Sequence, residues 1–455
     1  MKKGFAACEL FYGGCVTRSK GFEMNRYLWI LGVVMLLQGA SPAGSAESLI
    51  REEDHLTLER CLDIAVRNQP AILQYYYTAQ VSEALLGQAR AGYYPQLDVT
   101  ATYNQYNAIS RQNDPHSPIT QYGYEYGGNN VALKQKIYDF GKREANVDVA
   151  RLNRQAALSD VENQIATVVN NVKTAYYGVL STKRALAVHR EALDQYRQQL
   201  DQARLFFESG KKPKYDVTTA EVNLSSAQVK LIQAESDFDN AWVQLNNAMG
   251  YDGSARYSIE DMPAPGVYPV DEQAALERAY QKRSDLQSLM IQKASAERAV
   301  EAAKRDYFPS LDASAGYDFA GSQTPLSQGW NAGVALSWNL FKGLSTKKEI
   351  EKAAANLKVV EARIAGLKLL IRQEIKKARL DIKKAKETIA NAEVQVRQAT
   401  DNLELASLRY KTGLGTPLDV TNATVSYSNA KLTQIAAIYQ FYTAVANVEK
   451  AMGNR

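Results

Sequence analysis

Cysteine and histidine are both scarce in this chain, with three of each in 455 residues. Cys8 and Cys15 lie in a segment that we expect to be removed. Cys61 is then alone in the mature chain, which excludes a disulfide framework or a thiolate metal cluster. Apolar residues flank Cys61 at helical spacing and predict a buried core thiol. The histidines are far apart, and neither a nucleophile elbow nor a phosphate loop occurs, so the sequence predicts no enzyme, no cofactor and no metal site.

Blocks of like charge and long apolar runs are also missing. The formal net charge is only +5 and the charges are dispersed, so nothing indicates a nucleic-acid partner. The short apolar run Tyr27–Leu37 follows Arg26 and leads to Gly44-Ser45-Ala46, which is typical of a secretory signal peptide starting at Met24. A membrane anchor is the weaker alternative because the run is short for a span. Residues 1–46 are therefore predicted to be an upstream extension and a signal peptide.

What the chain does contain is a seven-residue apolar repeat, clearest between residues 371 and 410. Two rows share this spacing and are offset from each other by three or four positions, which predicts a coiled-coil helix. The first row is Ile375, Ile382, Ile389, Val396, Leu403 and Tyr410, and the second is Ile371, Ala378, Ala385, Ala392, Ala399 and Ala406. The alanines of the second row allow a neighbouring helix to approach closely.

The same pattern occurs twice, which indicates an internal duplication. A shift of about 200 residues aligns the helical rows of the two copies, and Met249-Gly250 and Met452-Gly453 close them. We predict a first repeat over residues 47–250, a linker over 251–269 and a second repeat over 270–455. The predicted helices are 141–208 and 215–249 in the first repeat, and 343–411 and 417–452 in the second. Helices of nearly seventy residues would be roughly 100 Å long.

Four segments alternate between apolar and polar residues and predict β-strands at about 96–107, 129–140, 310–320 and 329–341. Polar loops are expected between them, over 108–128 and 321–329. Strands of about ten residues with one apolar face are typical of a transmembrane β-barrel. The alternative is a small soluble sheet with one wet face, and the predicted signal peptide and aromatic strand ends favour the membrane.

Four strands cannot close a barrel, and open strand edges are not tolerated in lipid. Three copies would supply about twelve strands, within the usual range of closed barrels. The expected fold class is therefore an α+β membrane protein with a duplicated helix–strand–strand–helix repeat. It would form a trimeric 12-stranded β-barrel continued by a long α-helical coiled-coil tunnel.

A sharp turn is predicted between the last two helices. Gly413 can supply a left-handed helix cap, Thr416 an N-cap, Pro417 the first position of the next helix and Asp419 a capping-box acid. We call this turn the second tip, over residues 409–420. The corresponding turn of the first repeat, residues 206–217, is the first tip.

With these features the mature chain, from Leu56 to Gly453, resembles the TolC family of bacterial outer membrane efflux proteins, also called outer membrane factors. The resemblance rests on the duplicated order and on local motifs, namely Tyr94-Pro95, Phe308-Pro309, Ile137–Gly141, Leu340–Gly343 and the tips. The second tip matches the family pattern Arg-x-x-x-Gly-Leu-x-Ser/Thr-x-x-Asp-Val at every marked position. The first tip departs from it, with Phe206 in place of the arginine, Lys211 in place of leucine and Pro213 in place of Ser/Thr.

The resemblance implies an outer membrane exit duct of a tripartite efflux or type I secretion system, extending from the Gram-negative outer membrane into the periplasm. The implied partners are two further copies of the chain, a periplasmic adaptor protein, an inner-membrane transporter of RND, ABC or MFS type, and outer membrane lipid. A periplasmic coiled-coil adaptor or scaffold is the alternative. An adaptor would normally have a single hairpin with globular β-domains, not two full repeats.

The resemblance also assigns roles within the tips. Its adaptor-binding positions are Gly210, Lys211, Asp216, Gly413, Leu414 and Thr416. Asp419 and Asn422 correspond to positions that ring the constriction of the tunnel, where three carboxylates would attract cations. Asp419 is equally accounted for as a first-turn acid that caps a helix, and the two roles are compatible. Arg409 and Tyr410, within one or two turns of this acid, are predicted gating contacts.

Overall fold

The computed structural model describes residues 54–110, 120–253, 257–266, 268–321 and 326–454. The predicted signal peptide lies outside these residues. The helices are α1 (Leu58–Asn68), α2 (Pro70–Ala91), α3 (Lys142–Glu208), α4 (Lys214–Met249), α5 (Glu272–Lys282), α6 (Ser284–Lys304), α7 (Ser345–Lys411) and α8 (Pro417–Ala451). The strands are β1 (His55–Leu56), β2 (Gln96–Ser110), β3 (Thr120–Tyr138), β4 (Ser258–Ile259), β5 (Ser310–Gly321) and β6 (Ser327–Ser337).

The four long helices, α3, α4, α7 and α8, begin and end within two residues of the predicted bounds. The heptad rows explain their packing. The alanines of the second row are buried from Ala378 to Ala406, and they face a matching buried row on α8 that includes Ala423, Ala430 and Ala437. Small side chains on both helices let the two backbones pack closely. The α3–α4 pair repeats this arrangement, so each repeat forms one long antiparallel hairpin.

Two strand bounds were predicted wrongly. β3 begins at Thr120, well before the predicted start at residue 129, so part of the expected loop 108–128 is strand. The missed signal is the alternation Tyr122-Gly-Tyr-Glu-Tyr126, whose period of two continues the strand pattern. β6 ends at Ser337 and not at residue 341. The chain turns away there, and the indole N–H of Trp338 donates to the carbonyl of Tyr307 at 3.0 Å.

The four longer strands form one antiparallel sheet in the order β2-β3-β5-β6. Their pairing places Leu97 beside Leu133 and Val99 beside Val131, and it places Ala313 beside Val334. Apolar side chains therefore share one face across all four strands, and they are uncovered, with Val99 72 % and Val334 68 % exposed. The opposite face carries polar pairs such as Lys134–Asp98 at 3.2 Å.

The helix-side ends of these strands, at Gln96, Tyr138, Ser310 and Ser337, all lie at one edge of the sheet. Among the described residues, β2 and β6 each pair with a single strand, so both lateral edges are open. No helix in the described ranges is apolar over a stretch long enough to cross a membrane.

A two-stranded parallel sheet, β1 with β4, was not predicted because two-residue strands carry no periodic signal. It covers a core that includes Cys61, Tyr176, Leu245 and Met249. The prediction of a buried core thiol is confirmed, since Cys61 is completely buried and this burial raises its pKa to about 12. A thiol held protonated in this way is unreactive at neutral pH.

Candidate functional site at the two helix tips

The second tip turns as its sequence predicts. Gly413 adopts a left-handed conformation with φ of 81°, and the N–H groups of Leu414 and Gly415 both donate to the carbonyl of Arg409 at 2.9 Å. A Cβ on Gly415 would lie 2.9 Å from the backbone nitrogen of Tyr410. This turn therefore needs glycine at two positions, once for its dihedral angle and once for space.

The first tip has the same hydrogen-bond pattern with different side chains. Gly210 has φ of 72°, and the N–H groups of Lys211 and Lys212 both donate to the carbonyl of Phe206. Lys212 stands where the second tip has Gly415, and Pro213 takes the N-cap position without a side-chain hydrogen bond. The two tips therefore share their hydrogen-bond pattern but differ in spacing and surface: the nitrogen of Lys212 lies 3.2 Å from the carbonyl oxygen of Phe206, whereas that of Gly415 lies 2.9 Å from the carbonyl oxygen of Arg409.

Asp419 closes a complete capping box at the start of α8. Its carboxylate accepts the backbone N–H of Thr416 at 2.9 Å and the hydroxyl of Thr416 at 2.8 Å, and its own N–H donates to that hydroxyl at 3.2 Å. The Thr416 N–H, then the Thr416 hydroxyl and the charge of Arg409, lower the pKa of Asp419 below its ordinary value. The predicted cap is confirmed, and the carboxylate stays exposed and ionised at neutral pH.

Tyr410, predicted from the sequence as a gating contact, lies in the interior of the protomer. It is 1 % exposed and packs with Ala406, Val420 and Ala423. The ring of Phe206, from the first tip, meets it edge-on at a centroid distance of 5.7 Å. The Tyr410 hydroxyl is buried without a hydrogen-bond partner in the described part of the chain. Burial first, and then the negative charge of Asp216, raise the pKa of this hydroxyl.

Polar contacts also join the two hairpins farther from the turns. The buried amide of Gln199 on α3 donates to the carbonyl of Pro417 at 3.0 Å and to the hydroxyl of Thr421 at 3.2 Å. Asn223 on α4 donates to the same hydroxyl at 3.1 Å. The start of α8 is thereby held against both helices of the first hairpin.

A charged contact follows about two turns farther along. Glu191 on α3 accepts from the hydroxyl of Tyr427 and from the ammonium of Lys431, both at 2.8 Å. Burial raises the pKa of Glu191, but the bonds from Lys431 and Tyr427 outweigh it, and the net shift is downward. Together, Phe206, Gln199, Asn223 and Glu191 and their partners on α7 and α8 form what we call the inter-hairpin contacts.

The remaining predicted residues lie on the outside of the tips. Arg409, Lys211, Gly210, Gly413, Thr416 and Asn422 are exposed, and Leu414 is 77 % exposed. Asp216 was grouped with the adaptor-binding positions from the sequence, but it is buried beneath the first tip. Its side chain is therefore part of the packing between the hairpins and not of the outer surface.

Sequence reasoning did not find the inter-hairpin contacts. Phe206 was noted only as a departure from the family pattern, and Gln199, Asn223 and Glu191 carry no local signal. A buried glutamine can be identified only when the neighbouring helix is in place. No group of three or more acidic, cysteine or histidine side chains in the described ranges is arranged to hold a metal ion.

Comparisons with known proteins agree on one family. The sequence profile described as "Outer membrane efflux protein" matches residues 61–251 and 275–454. Outer membrane protein TolC of Escherichia coli is 23 % identical over 449 residues, covering 94 % of this chain and 87 % of TolC. Protein CyaE of Bordetella pertussis is 24 % identical over 418 residues, covering 88 % and 84 %. The crystal structure of the CmeC outer membrane channel of Campylobacter jejuni superposes with a TM-score of 0.74 at 18 % identity, over 87 % of this chain and 85 % of CmeC.

Proposed function

The chain belongs to the outer membrane efflux protein family and is an exit duct of the Gram-negative outer membrane, and we propose that it works as a homotrimer closed and opened at its tips. The family consists of ducts and not of enzymes. The sequence left a periplasmic adaptor as an alternative. An adaptor would have a single hairpin, whereas this chain has two repeats, each with a pair of barrel strands.

The proposal of a trimer is supported mainly by the open edges of the four-stranded sheet. Its apolar face is uncovered, and its two lateral edges, β2 and β6, each lack one neighbour among the described residues. An apolar face of this kind suits lipid, but unpaired N–H and C=O groups in lipid cost several kcal/mol each. Pairing β2 of one protomer with β6 of the next removes every edge when three copies close a ring of about twelve strands.

The polar face of the sheet then lines the barrel, and the helical hairpins continue the wall below it. The face is covered by paired groups such as Lys136–Asp312 at 2.9 Å and Asn331–Asp318 at 2.7 Å. These groups are wet and already paired, so the strands between them present no strong trap to a passing solute. The 67 residues of α3 and of α7 would carry the duct roughly 100 Å into the periplasm.

We place the constriction at Asp419 and Asn422. Both are exposed within one turn at the start of α8, and the capping box holds the Asp419 carboxylate in one position and ionised. Three such carboxylates in a narrow throat attract cations and repel anions. In this arrangement the capping role and the selectivity role belong to the same carboxylate, and neither excludes the other.

The inter-hairpin contacts are the proposed latch of the closed state. For the tunnel to open, the α7–α8 hairpin must move away from the axis and therefore shift against α3 and α4. That movement separates Tyr410 from Phe206 and Thr421 from Gln199. Arg409 contributes from the outside, since its charge acts on the Asp419 carboxylate.

The exposed surface of the tips is the proposed docking site of a periplasmic adaptor, which connects the duct to an inner-membrane transporter of RND, ABC or MFS type. The two tips offer an adaptor different side chains. Leu414 of the second tip is apolar, and Lys211 of the first tip is cationic. Because Lys211 stands where the family pattern has leucine, we propose that the adaptor contacts the two tips differently.

The proposed function is tested by reconstituting the purified mature chain in a planar lipid bilayer. We expect discrete cation-selective channels that appear only in fractions containing the trimer. Folded trimer that never conducts, even when the latch residue Phe206 is replaced by alanine, would contradict the duct.

A further inference from the structure

A cavity of about 400 Å³ lies where the sheet meets the helices. Its walls come from the end of α2, the segment that follows α6, the start of α3, the helix-side ends of β3, β5 and β6, and the segment that follows β6. Five cationic side chains but only two carboxylates line it, which gives a formal net charge of +3. The cations are Lys136, Lys142, Arg143, Arg305 and Lys342.

The two carboxylates are already engaged. Asp306 is paired with Lys142, and Asp139 accepts the backbone N–H of Arg143 at 3.0 Å. Lys136 is paired with Asp312, which lies outside the cavity lining, at 2.9 Å. Two of the five cations are therefore neutralised by a carboxylate.

The other three cations have donor capacity to spare. Arg305 and Lys342 have no carboxylate partner among the described residues, and Arg305 only overlies the Phe308 ring at 6.0 Å. Arg143 donates through one terminal nitrogen to the carbonyls of Gly92 and Lys136, at 2.7 and 3.0 Å. Its Nε is buried and has no hydrogen-bond partner in the part of the chain that the structure describes. Because that nitrogen has no accessible surface, a ligand in the cavity would contact the terminal nitrogens of Arg143 and not its Nε.

We propose that this cavity is a binding site for a small oxyanion, such as a phosphate or the phosphate group of a solute. Guanidinium and ammonium groups form their strongest hydrogen bonds with oxyanions. The two arginines can each bind an oxyanion through two parallel N–H groups, and the lysine adds a compact positive charge. We call it the junction site, defined by Arg143, Arg305 and Lys342.

The face of the sheet decides which phosphate can enter. Lys136, Ser310 and Ser337 reach the cavity from the polar face, because Ser310 pairs with Ser337 while the next pair, Leu311 with Leu336, points to the apolar face. A lipid phosphate would approach from the apolar side. The junction site therefore takes its anion from water.

This placement has a consequence for the duct. If the polar face lines the barrel, as proposed above, the junction site lies in the lumen and carries a charge opposite to that of Asp419. A solute with an anionic group would meet cations where the helices give way to the sheet. The lumenal location rests on the trimeric barrel, but the binding of an anion to the cavity does not.

The test is equilibrium dialysis of radiolabelled inorganic phosphate against the purified full-length mature protein in neutral detergent, at low ionic strength where screening is weak. The double variant Arg305→Gln/Lys342→Gln should bind phosphate about tenfold more weakly, which corresponds to the loss of charge-assisted hydrogen bonds. The matched control is Arg372→Gln/Lys376→Gln, which removes two exposed cations from α7, away from the cavity, and should bind like the parent protein.

The single variant Lys342→Gln controls for misfolding of the double variant, because this exposed side chain forms no hydrogen bond or ion pair with the described residues. It should weaken binding in the same direction. Equal losses in the control and in the junction variants would overturn the site, as would unchanged binding in both junction variants. Binding of dihexanoylphosphatidylglycerol in preference to inorganic phosphate would overturn the aqueous source. Because all these measurements report binding and not conductance, a failure here is distinct from a failure of the duct.

Discussion

The ring of Tyr410 in the second repeat meets the ring of Phe206 in the first repeat edge-on, with their centroids 5.7 Å apart. Each residue immediately precedes the turn of its own hairpin, so this contact joins the two tips inside one protomer. The contact holds the two halves of the duplicated chain together at the tips, and it is broken in the opening movement that we propose.

The first prediction separates packing from hydrogen bonding at Tyr410. Its hydroxyl has no partner among the described residues, so Tyr410→Phe should leave the duct closed and leave stability unchanged or slightly higher. Phe206→Ala removes the aromatic pair, worth about 0.5–1.5 kcal/mol beyond its buried area, and should raise conductance and sensitivity to vancomycin. A leaky Tyr410→Phe strain with a tight Phe206→Ala strain would mean that a hydrogen bond, and not ring packing, holds the tips.

The second prediction concerns the two roles of Asp419. Asp419→Asn retains a side-chain oxygen that can accept from the Thr416 N–H but loses the charge, whereas Asp419→Ala loses both. The asparagine variant should therefore lose cation selectivity, measured as a reversal potential in a potassium chloride gradient, with unchanged helix content by circular dichroism. Undiminished selectivity in Asp419→Asn would leave the residue as a helix cap only.

The same carboxylate makes a prediction about pH. Its folded-state pKa is lowered from the ordinary value of 3.8, so its charge persists to lower pH than that of a free aspartate. The capping contribution to stability is fully present above the ordinary pKa and is lost as pH falls through the lowered, folded-state pKa. Cation selectivity should therefore survive acidification to the ordinary value and disappear only below it. Loss of selectivity above that pH would show that repulsion among the three carboxylates of the throat outweighs the cap, or that another, weaker acid sets the selectivity.

The third prediction tests the polar part of the latch. Gln199→Leu removes the two hydrogen bonds from the Gln199 amide to the start of α8. The Pro417 carbonyl keeps the Thr421 hydroxyl as a donor at 2.9 Å, so the expected cost is that of the lost hydrogen bonds, about 0.5–1.5 kcal/mol each. We expect a leaky duct and a lower unfolding temperature. Gln198→Leu is the matched control, because that neighbouring glutamine is exposed. Equal behaviour of the two variants would remove Gln199 from the latch.

Features that depend on residues close together in the sequence could be predicted, and contacts between distant residues could not. The helices, the tip turns and the capping box depend on residues three to seven positions apart, and the periodic pattern gave them within two residues. The early start of β3 was also readable, from the alternating tyrosines 122–126, but the polar residues around them favoured a loop. Tyr410 against Phe206 joins residues two hundred positions apart, and no local rule pairs them.

Whether a charged side chain is buried also depends on residues that are distant in the sequence. Asp216 and Asp419 occupy equivalent places in their tips, and each is an acid in the first turn of its helix. The fold buries Asp216 between the hairpins and leaves Asp419 in water. The difference depends on which tip faces its neighbour, and that is set by the packing of α8 against α3.

The fourth prediction concerns the second turn. A side chain on Gly415 would collide with the backbone of Arg409 and Tyr410, so Gly415→Ala should displace the turn and raise vancomycin sensitivity. Gly366→Ala is the control within α7. Nothing lies within 4 Å of its added Cβ, and alanine should stabilise this exposed helix position by about 0.5–1 kcal/mol. Unchanged vancomycin sensitivity in Gly415→Ala cells would mean that the displaced turn still keeps the duct closed.

The most direct test of the duct is the number of chains in the detergent-solubilised particle, measured by native mass spectrometry of the mature protein. The open edges β2 and β6 predict a particle of three chains, and proline placed in the interior of β6, for example Ala332→Pro, should lower its yield by blocking strand pairing. Three chains in the parent protein, with loss of the trimer in the β6 variant, is the predicted result. A folded, monodisperse monomer of the parent protein in mild detergent would contradict the account.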